Sequence, residues 1–185
     1  MKYAPIIIFC YCRPTHLKKV FDTLKTNKEA LDSDLIIYSD GPKGNSDIEG
    51  VIAVRKYIST IQGFKSIKII ESKINKGLAN SIIDGVTDVL KQYDRVIVLE
   101  DDIEVSSRFL EFMNKSLKIY EHEEKVMHIN GWVPSNIKDN TSPFFTHIME
   151  CWGWATWRRS WNHFNKNCDV LLTSFSKKDK FKFNI

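Results

Sequence analysis

The sequence predicts an α/β protein, with a mainly parallel sheet that helices cover on both faces. Short apolar runs alternate with longer segments in which apolar residues recur at helical spacing, and this alternation is typical of parallel sheets. The first run, at residues 6–11, is continuously apolar and aromatic, as in a strand that is buried on both faces. Polar residues follow several of these runs, at the end of a parallel sheet where ligands bind.

The first 125 residues contain the clearest elements. Strands are predicted at residues 6–11, 35–38, 67–70 and 96–99. Helices are predicted at residues 14–24, at residues 46–63, at residues 77–93 and from Ser106 onward. The second helix begins with Ser46-Asp47-Ile48-Glu49, which has the capping-box pattern. The third is expected to bury one stripe of side chains, consisting of Leu78, Ile82, Val86, Val89 and Leu90.

The pattern is less regular after residue 125. It favours a strand at 126–129, a loop at 133–143, a further strand at 144–149 and a helix at 153–164. No internal repeat or low-complexity linker interrupts the sequence, so we predict a single domain over residues 1–185.

The bulk composition argues against disorder and against nucleic-acid binding. The 185 residues are 43% hydrophobic and 12% aromatic, which is enough for a buried core. The net charge of +4 is spread along the chain, whereas nucleic-acid binding needs clustered cations. One dense basic cluster near the C-terminus is more typical of a solvated helix face than of a membrane or nucleic-acid patch. It consists of Lys177, Lys178, Lys180 and Lys182.

Hydropathy and cysteine spacing favour a cytoplasmic protein. No stretch approaches the roughly 18 apolar residues of a spanning helix, and the first apolar run is too short for a signal peptide. Peripheral contact with the inner face of a membrane stays open. Cys10 and Cys12 are expected to share one strand face as reduced thiols, and none of the four cysteines has zinc-site spacing.

The sharpest functional signal is Glu100-Asp101-Asp102, directly after the fourth predicted strand. Three adjacent carboxylates repel one another, so they destabilise the fold unless cations or backbone donors compensate them. Mg²⁺ or Mn²⁺ on a diphosphate supplies such compensation and often needs only one or two protein carboxylates. The alternative is that the acids only favour the amino end of the next helix.

Other polar residues follow the remaining strands. Asp40 is placed to accept hydrogen bonds from a base or ribose, or else to form a turn. Arg13 is placed to reach a phosphate, or else a surface carboxylate. The segment from Asn75 to Asn80 leads into a helix whose amino end favours anions, although an ordinary capped helix start has the same pattern.

Several segments together resemble the GT-A glycosyltransferases, best over residues 5–160. They are Ile-Ile-Phe-Cys-Tyr-Cys-Arg-Pro (7–14), Tyr-Ser-Asp-Gly-Pro (38–42), Asn-Lys-Gly-Leu-Ala-Asn-Ser (75–81), Val-Leu-Glu-Asp-Asp-Ile-Glu-Val (98–105) and Trp-Gly-Trp-Ala-Thr-Trp (152–157). The Glu-Asp-Asp form of the Asp-x-Asp motif is most similar to N-acetylglucosaminyltransferase I and related bacterial sugar transferases.

The resemblance implies a GT-A (Rossmann-like) fold and a metal-dependent transfer of a sugar from a nucleotide sugar, UDP-linked, to a hydroxyl acceptor. It implies a nucleotide-sugar-binding part at about 1–125, an incomplete acceptor-side part at about 126–185, and a saccharide or glycolipid acceptor in surface polysaccharide or glycolipid synthesis. Asp102 would bind Mn²⁺ or Mg²⁺, Arg13 would contact the diphosphate, and Asp40 would contact the base. The full nucleotide-sugar set is Cys10, Tyr11, Arg13, Asp40, Asn75, Lys76, Asn80 and Asp101.

The aromatic segment after residue 150 has two interpretations. By resemblance, Trp152, Gly153 and Trp154 border the acceptor. By spacing, Trp154, Trp157 and Trp161 form one helix face, which is usually core. His128, His147 and His163 have no mutual ligand spacing and are interpreted as structural.

No catalytic base is identified in the sequence. An inverting transferase needs a carboxylate that deprotonates the acceptor hydroxyl, and neither Glu150 nor Asp169 nor Asp179 has suitable surroundings. The hypothesis is that the base lies beyond Ile185 and that the chain is a truncated form. Two alternatives stay open: a sugar-phosphate nucleotidyltransferase, although Cys-Arg-Pro-Thr-His replaces the expected glycine-rich loop after the first strand, and a non-catalytic binding module.

Overall fold

The computed structural model describes residues 3–133 and 143–182. The loop predicted at 133–143 lies outside these ranges except for its two end residues. Residues 183–185 lie outside them as well.

Within the described residues, six strands form one sheet. They are β1 (Ile6–Cys10), β2 (Asp34–Ser39), β3 (Ser66–Glu71), β4 (Arg95–Glu100), β5 (Ile129–Asn130) and β6 (Trp154–Trp157). The helices are α1 (Pro14–Leu24), α2 (Ile48–Ile58), α3 (Leu78–Leu90), α4 (Phe109–Ile119), α5 (Arg158–Trp161), α6 (Cys168–Ser174) and α7 (Lys177–Lys182). Short 3₁₀ turns at Lys28–Asp32 and Asn45–Asp47 precede β2 and α2.

The strand order across the sheet is β3-β2-β1-β4-β6-β5. Strand β1 pairs in parallel with both β2 and β4, and β3 pairs in parallel with β2. Strand β6 runs antiparallel to β4 and to β5. The predicted α/β class with a mainly parallel sheet is therefore confirmed.

The two faces of the sheet carry two separate apolar cores. Helices α1, α2 and α4 cover one face, where Ile6 and Ile8 of β1 are buried. Helix α3 covers the other face, where Ile7 and Phe9 of the same strand are buried. Because successive side chains of a strand point to opposite faces, a strand covered on both sides must be apolar at every position. The predicted helical cover on both faces is also confirmed.

A buried asparagine holds α4 just downstream of the carboxylate run. Asn27 is 1% exposed, and its side-chain oxygen accepts a hydrogen bond from the Leu110 backbone N–H at 2.9 Å. Its amide group donates to the Ser106 carbonyl at 3.0 Å. Asn27 thus satisfies an N–H group in the first turn of α4 that has no partner inside the helix.

Three details of the first 125 residues differ from prediction. Helix α2 ends at Ile58 rather than residue 63, and no side chain caps its amino end, so the capping box does not form. Ser46 hydrogen-bonds the neighbouring Asp47 carboxylate instead. Leu78, predicted to be buried in the α3 stripe, is 54% exposed because it begins the helix at the mouth of a pocket.

The second half departs further from the sequence-based prediction. The helix predicted at 153–164 is wrong over its first part, because Trp154–Trp157 is strand β6 and only Arg158–Trp161 is helical. Residues 144–149 form no strand. In the segment predicted as a strand at 126–129, only Ile129 pairs with β6, followed by Asn130.

The helices of the described ranges include none that has both the length and the apolar character needed to span a membrane.

Candidate functional site

The candidate site lies at the carboxyl ends of β1 and β4, two neighbouring strands. From β1 the chain proceeds to β2 and β3 on one side of the sheet, and then crosses to β4 on the other side. The loops after β1 and β4 therefore diverge and leave a crevice between them, as ligand sites of open parallel sheets do. Residues 11–13 follow β1, and Asp101 and Asp102 follow β4.

Arg13 joins the two loops by contacting both aspartates. Its Nη2 donates to Asp101 Oδ1, and its Nη1 lies 3.0 Å from Asp102 Oδ2. The Tyr11 backbone N–H also donates to Asp101, at 3.2 Å. The hydrogen bond to Asp101, together with the charges of Asp101 and Asp102, raises the pKa of the Arg13 guanidinium. The buried Asp101 is a structural anchor, whereas the side chain of Asp102 is 43% exposed.

Asp40 ends β2 and bonds to the loop that precedes α3. Its carboxylate accepts backbone N–H groups from Gly41, Lys76 and Gly77, each at 2.9 Å. Asn75 in turn donates its side-chain amide to the Gly41 carbonyl at 2.8 Å. The structure thus brings the predicted residues Asp40, Asn75 and Lys76 together through main-chain contacts.

A pocket of about 350 Å³ opens between these loops. Its lining includes six predicted site residues, which are Cys10, Tyr11, Arg13, Asp40, Asn75 and Asp101. It also includes Gly77 and Leu78 of the predicted segment from Asn75 to Asn80, and Glu100 of the predicted carboxylate run. The remaining lining residues were not singled out by the sequence, and they are Phe9, Tyr38, Lys43 and Ser81.

Three predicted residues border the pocket without lining it. Lys76 directs its ammonium to Asp84 at 2.8 Å, away from the pocket. Asn80 donates to the Lys76 carbonyl and accepts from Lys166. Asp102 lies at the mouth through its contact with Arg13.

Aromatic rings form the floor of the pocket. Phe9 and Tyr38 stack with ring centroids 5.3 Å apart. Gly85 of α3 permits this packing, because a Cβ there would lie 2.7 Å from the Phe9 ring. Burial, together with nearby acids, raises the pKa of Tyr38 to about 12. Because side chains alternate along a strand, Phe9 and Tyr38 both lie on the sheet face that α3 covers. This alternation is the sequence signal from which they could have been identified as pocket residues.

Tyr11 holds the loop after β2 in place, and this loop forms another wall of the pocket. Its hydroxyl donates to Asp47 at 2.6 Å and accepts the Lys43 backbone N–H at 2.9 Å. The hydrogen bond from Tyr11 lowers the pKa of Asp47. The ammonium of Lys43 forms no ion pair among the described residues. The pocket is therefore lined by a cation that is available to an anionic ligand. A lone lysine in a turn carries no sequence signal for such a role.

Glu100 and Cys10 are ionisable groups whose pKa values are raised, mainly by burial. Burial, and then repulsion by Asp102 and Asp101, raises the pKa of Glu100. Burial raises the pKa of Cys10 to about 12, so this thiol does not supply a thiolate at neutral pH. All four cysteines are free, as was predicted for Cys10 and Cys12. The prediction that these two share a strand face is wrong, because β1 ends at Cys10 and Cys12 lies in the loop after it.

The predicted acceptor-side segment adjoins the end of β4. Val98 pairs with Trp154, and a Cβ on Gly153 would lie 3.3 Å from Leu99. Trp154 is 4% exposed and belongs to the core on the α3 face. Trp152 is 55% exposed and meets Trp132 edge-on at 4.7 Å. Of the two predicted tryptophans, Trp152 is thus the one accessible to a ligand.

The donor set fits a divalent metal that arrives with its ligand. Within residues 3–133 and 143–182, no three His, Cys, Asp or Glu side chains form a metal-binding group. Asp102 offers one exposed carboxylate beside Asp101. Magnesium and manganese commonly take one or two carboxylates and complete their shells with phosphate and water. These residues suit a metal–diphosphate complex rather than a permanently held structural ion.

Comparisons with known proteins find similar folds at low sequence identity. No protein-family model matches the chain, and no curated protein matches it. S. aureus TarS is 14% identical with a TM-score of 0.46, covering 65% of this chain and 20% of that one. The mannosyltransferase PcManGT from Pyrobaculum calidifontis, solved with GDP-Man and Mn²⁺, is 14% identical with a TM-score of 0.47, covering 68% and 35%.

A nucleotidyltransferase structure is similar to the same degree. The 4-diphosphocytidyl-2C-methyl-D-erythritol synthase from Anaerococcus prevotii is 14% identical with a TM-score of 0.48, covering 97% of this chain and 82% of that one. At these identities the similarity concerns the fold alone. The activity of this chain must therefore be argued from its own site.

Proposed function

We propose that this chain is the nucleotide-sugar-binding part of a metal-dependent glycosyltransferase. One observation carries the proposal: Arg13, Asp101 and Asp102 converge at the crevice between β1 and β4, beside a pocket with an aromatic floor. A cation next to an exposed carboxylate suits a diphosphate and its metal, and an apolar pocket suits a nucleoside. The resemblance of the motifs to GT-A enzymes supports a UDP-sugar as the donor.

Each residue of the crevice has a distinct proposed role. Asp102 would hold Mn²⁺ or Mg²⁺, and Asp101 would orient Arg13 and the Tyr11 backbone. When bound, the metal neutralises the negative charge that grows on the departing nucleoside diphosphate. Arg13 would contact the same diphosphate through its guanidinium, whose fork geometry matches phosphate oxygens.

The acceptor would approach from the side of the 151–153 segment. Trp152 presents an exposed ring next to the end of β4, and aromatic rings favour the apolar faces of sugars. The acceptor in this proposal is a saccharide or glycolipid with a free hydroxyl. The base that deprotonates this hydroxyl is not assigned.

Calorimetric titration with UDP tests the proposal. UDP with Mn²⁺ should bind the wild type, and Asp102→Ala or removal of Mn²⁺ should weaken binding by about tenfold or more, because the bridging cation is lost. Asp22→Ala is the control, since its carboxylate lies exposed on α1 and pairs with Lys18. Equal affinity of wild type and Asp102→Ala would contradict the metal role.

The same titration separates the other functions. Tight binding of a nucleoside triphosphate, with pyrophosphate release from a sugar phosphate, would instead indicate a nucleotidyltransferase. The absence of binding to any nucleotide would leave a non-catalytic interaction module.

A further inference from the structure

Asp40 lines the pocket, but its carboxylate is largely buried and accepts hydrogen bonds from the main chain. The residue is 8% exposed. Oδ1 accepts the N–H groups of Gly41 and Lys76 at 2.9 Å, and Oδ2 accepts that of Gly77 at 2.9 Å with a longer contact from Lys76 at 3.2 Å. Each carboxylate oxygen has two lone pairs that can accept hydrogen bonds. These N–H donors therefore occupy nearly all of the acceptor positions of the Asp40 carboxylate.

The loop at 72–77, which supplies two of these donors, is fixed from a second side by Arg55 of α2. The Arg55 guanidinium donates to the Ser72 carbonyl at 2.6 Å and lies within 3.4 Å of the Asp40 carbonyl. Arg55 does not line the pocket. The Ser72 N–H also donates to the Ser39 carbonyl at 2.9 Å, so the 72–77 loop is bonded to the end of β2 at both of its ends.

The two backbones are in direct contact between these points. A Cβ on Gly41 would lie 2.6 Å from the Ile74 carbonyl carbon, a distance that side chains do not adopt. Gly77, which has φ of +75°, directly precedes α3. Asn75, Gly77 and Leu78 line the pocket, so the conformation of this loop defines one wall of it.

We propose that Asp40 acts on the nucleotide as a positioning residue, by fixing the 72–77 loop, rather than by binding the base. This inference rests on the proposed nucleotide site. It assigns Arg55, which lies outside the pocket, to the same task. A base-contacting aspartate would discriminate between bases, whereas a positioning aspartate supports binding of every nucleotide that uses this wall.

Hydrogen exchange on the ligand-free protein tests the first half of the inference. In Asp40→Ala the amides of Gly41, Lys76 and Gly77 lose their acceptor, so peptides covering 72–80 should exchange at least severalfold faster than in the wild type. Asp40→Asn should show a smaller increase in the exchange rate. The asparagine side-chain oxygen still accepts backbone N–H groups, whereas its NH₂ group is itself a donor and cannot accept one. Unchanged exchange in Asp40→Ala would overturn the inference.

Calorimetry with UDP, CDP and GDP, each with Mn²⁺, tests the second half. Asp40→Ala and Arg55→Ala should each weaken all nucleotides that the wild type binds by a similar factor of about ten, leaving the ratios between nucleotides unchanged. Asp22→Asn, an exposed carboxylate on α1, is the matched control and should bind as the wild type does.

The outcomes distinguish this inference from the proposed function. Loss confined to one base in Asp40→Ala, or wild-type affinity in Arg55→Ala, would overturn the positioning role. A wild type that binds no nucleotide would refute the proposed function, and the exchange result would still decide whether Asp40 holds the loop.

Discussion

The guanidinium of Arg13 lies 3.0 Å from Asp102, the carboxylate proposed to bind the metal. Both side chains are nearly half exposed, at 45% and 43%. Exposed ion pairs contribute only about 0–1 kcal/mol, so a divalent cation can displace this one. Arg13 thus acts as an internal counter-ion for the carboxylates, and its release from Asp102 would free it for a phosphate.

Removing Arg13 should therefore separate metal binding from nucleotide binding. In Arg13→Ala, Asp102 loses the cation that competes with the metal. Free Mn²⁺ should therefore bind more tightly to this variant than to the wild type. UDP in the presence of Mn²⁺ should bind more weakly, by about tenfold or more, because a charge-assisted contact to the diphosphate is lost. Electron paramagnetic resonance of free Mn²⁺ and calorimetry of UDP measure the two effects.

Arg108→Ala is the matched control for Arg13→Ala. Arg108 is an exposed arginine just before α4 that pairs with Glu111 and does not line the pocket. It should change neither affinity. Parallel weakening of Mn²⁺ and UDP in Arg13→Ala would contradict the counter-ion role and indicate that Arg13 only maintains the fold of the loops.

The pH dependence of stability should depend on His128. Its Nε2 lies 3.0 Å from the Glu150 carbonyl, its ring stacks on Trp154, and its buried Nδ1 has no partner among the described residues. Burial lowers the pKa of His128 below its ordinary value of 6.5. The folded state therefore favours the neutral ring, and a proton added at Nδ1 would be buried without an acceptor.

Because the folded pKa is lowered, His128 contributes stability that is present above pH 6.5 and is lost as pH falls through the folded pKa. His128→Phe keeps a ring on Trp154 and removes the titration, so its melting temperature should fall less than that of the wild type on acidification from pH 7 to pH 5. His122→Gln, at an exposed position, should follow the wild-type curve. Identical slopes for wild type and His128→Phe would contradict this assignment.

The sequence was sufficient for the parallel half of the fold. Strands β1 to β4 fall within about two residues of prediction because each is a short, mainly apolar run, although Lys68 interrupts the run in β3. Arg13, Asp40, Asn75 and Asp101 were found because they follow these runs, and parallel strands end at one edge of a sheet. That Arg13 pairs with Asp101, while Asp40 and Asn75 bond to the main chain, depends on loop conformations that no local pattern encodes.

The antiparallel half was mispredicted for a physical reason. Trp154 and Trp157 are three residues apart, a spacing that places two side chains on one face of a helix or on opposite faces of a strand. Strand β6 is buried on both faces, so both tryptophans are core residues on opposite sides. Only the pairing with β4, which lies more than fifty residues earlier in the chain, decides between the two.

Asn27 should be among the most sensitive polar residues outside the site. Asn27→Ala would leave the Leu110 N–H and the Ser106 carbonyl without their buried partners. We expect a loss of about 2–4 kcal/mol in the free energy of unfolding, measured by urea denaturation. Thr26→Ala, the adjacent residue with an exposed hydroxyl, is the control and should change stability by less than about 0.5 kcal/mol. A loss in Asn27→Ala no larger than in the control would contradict the bridging role.

Gly153 supports the approach of the predicted acceptor segment to β4, and a side chain there should be destabilising. Its φ is +73°, a region that disfavours residues with a Cβ, and a Cβ would lie 3.2 Å from Phe109 and 3.3 Å from Leu99. Gly153→Ala should therefore lower the free energy of unfolding by about 1–3 kcal/mol. Gly44 has extended backbone with φ of −157° and open space around it, so Gly44→Ala should be neutral or slightly stabilising. If the urea midpoints of the two variants agree, the left-handed backbone and close packing at Gly153 are not what holds the 151–153 segment against the end of β4.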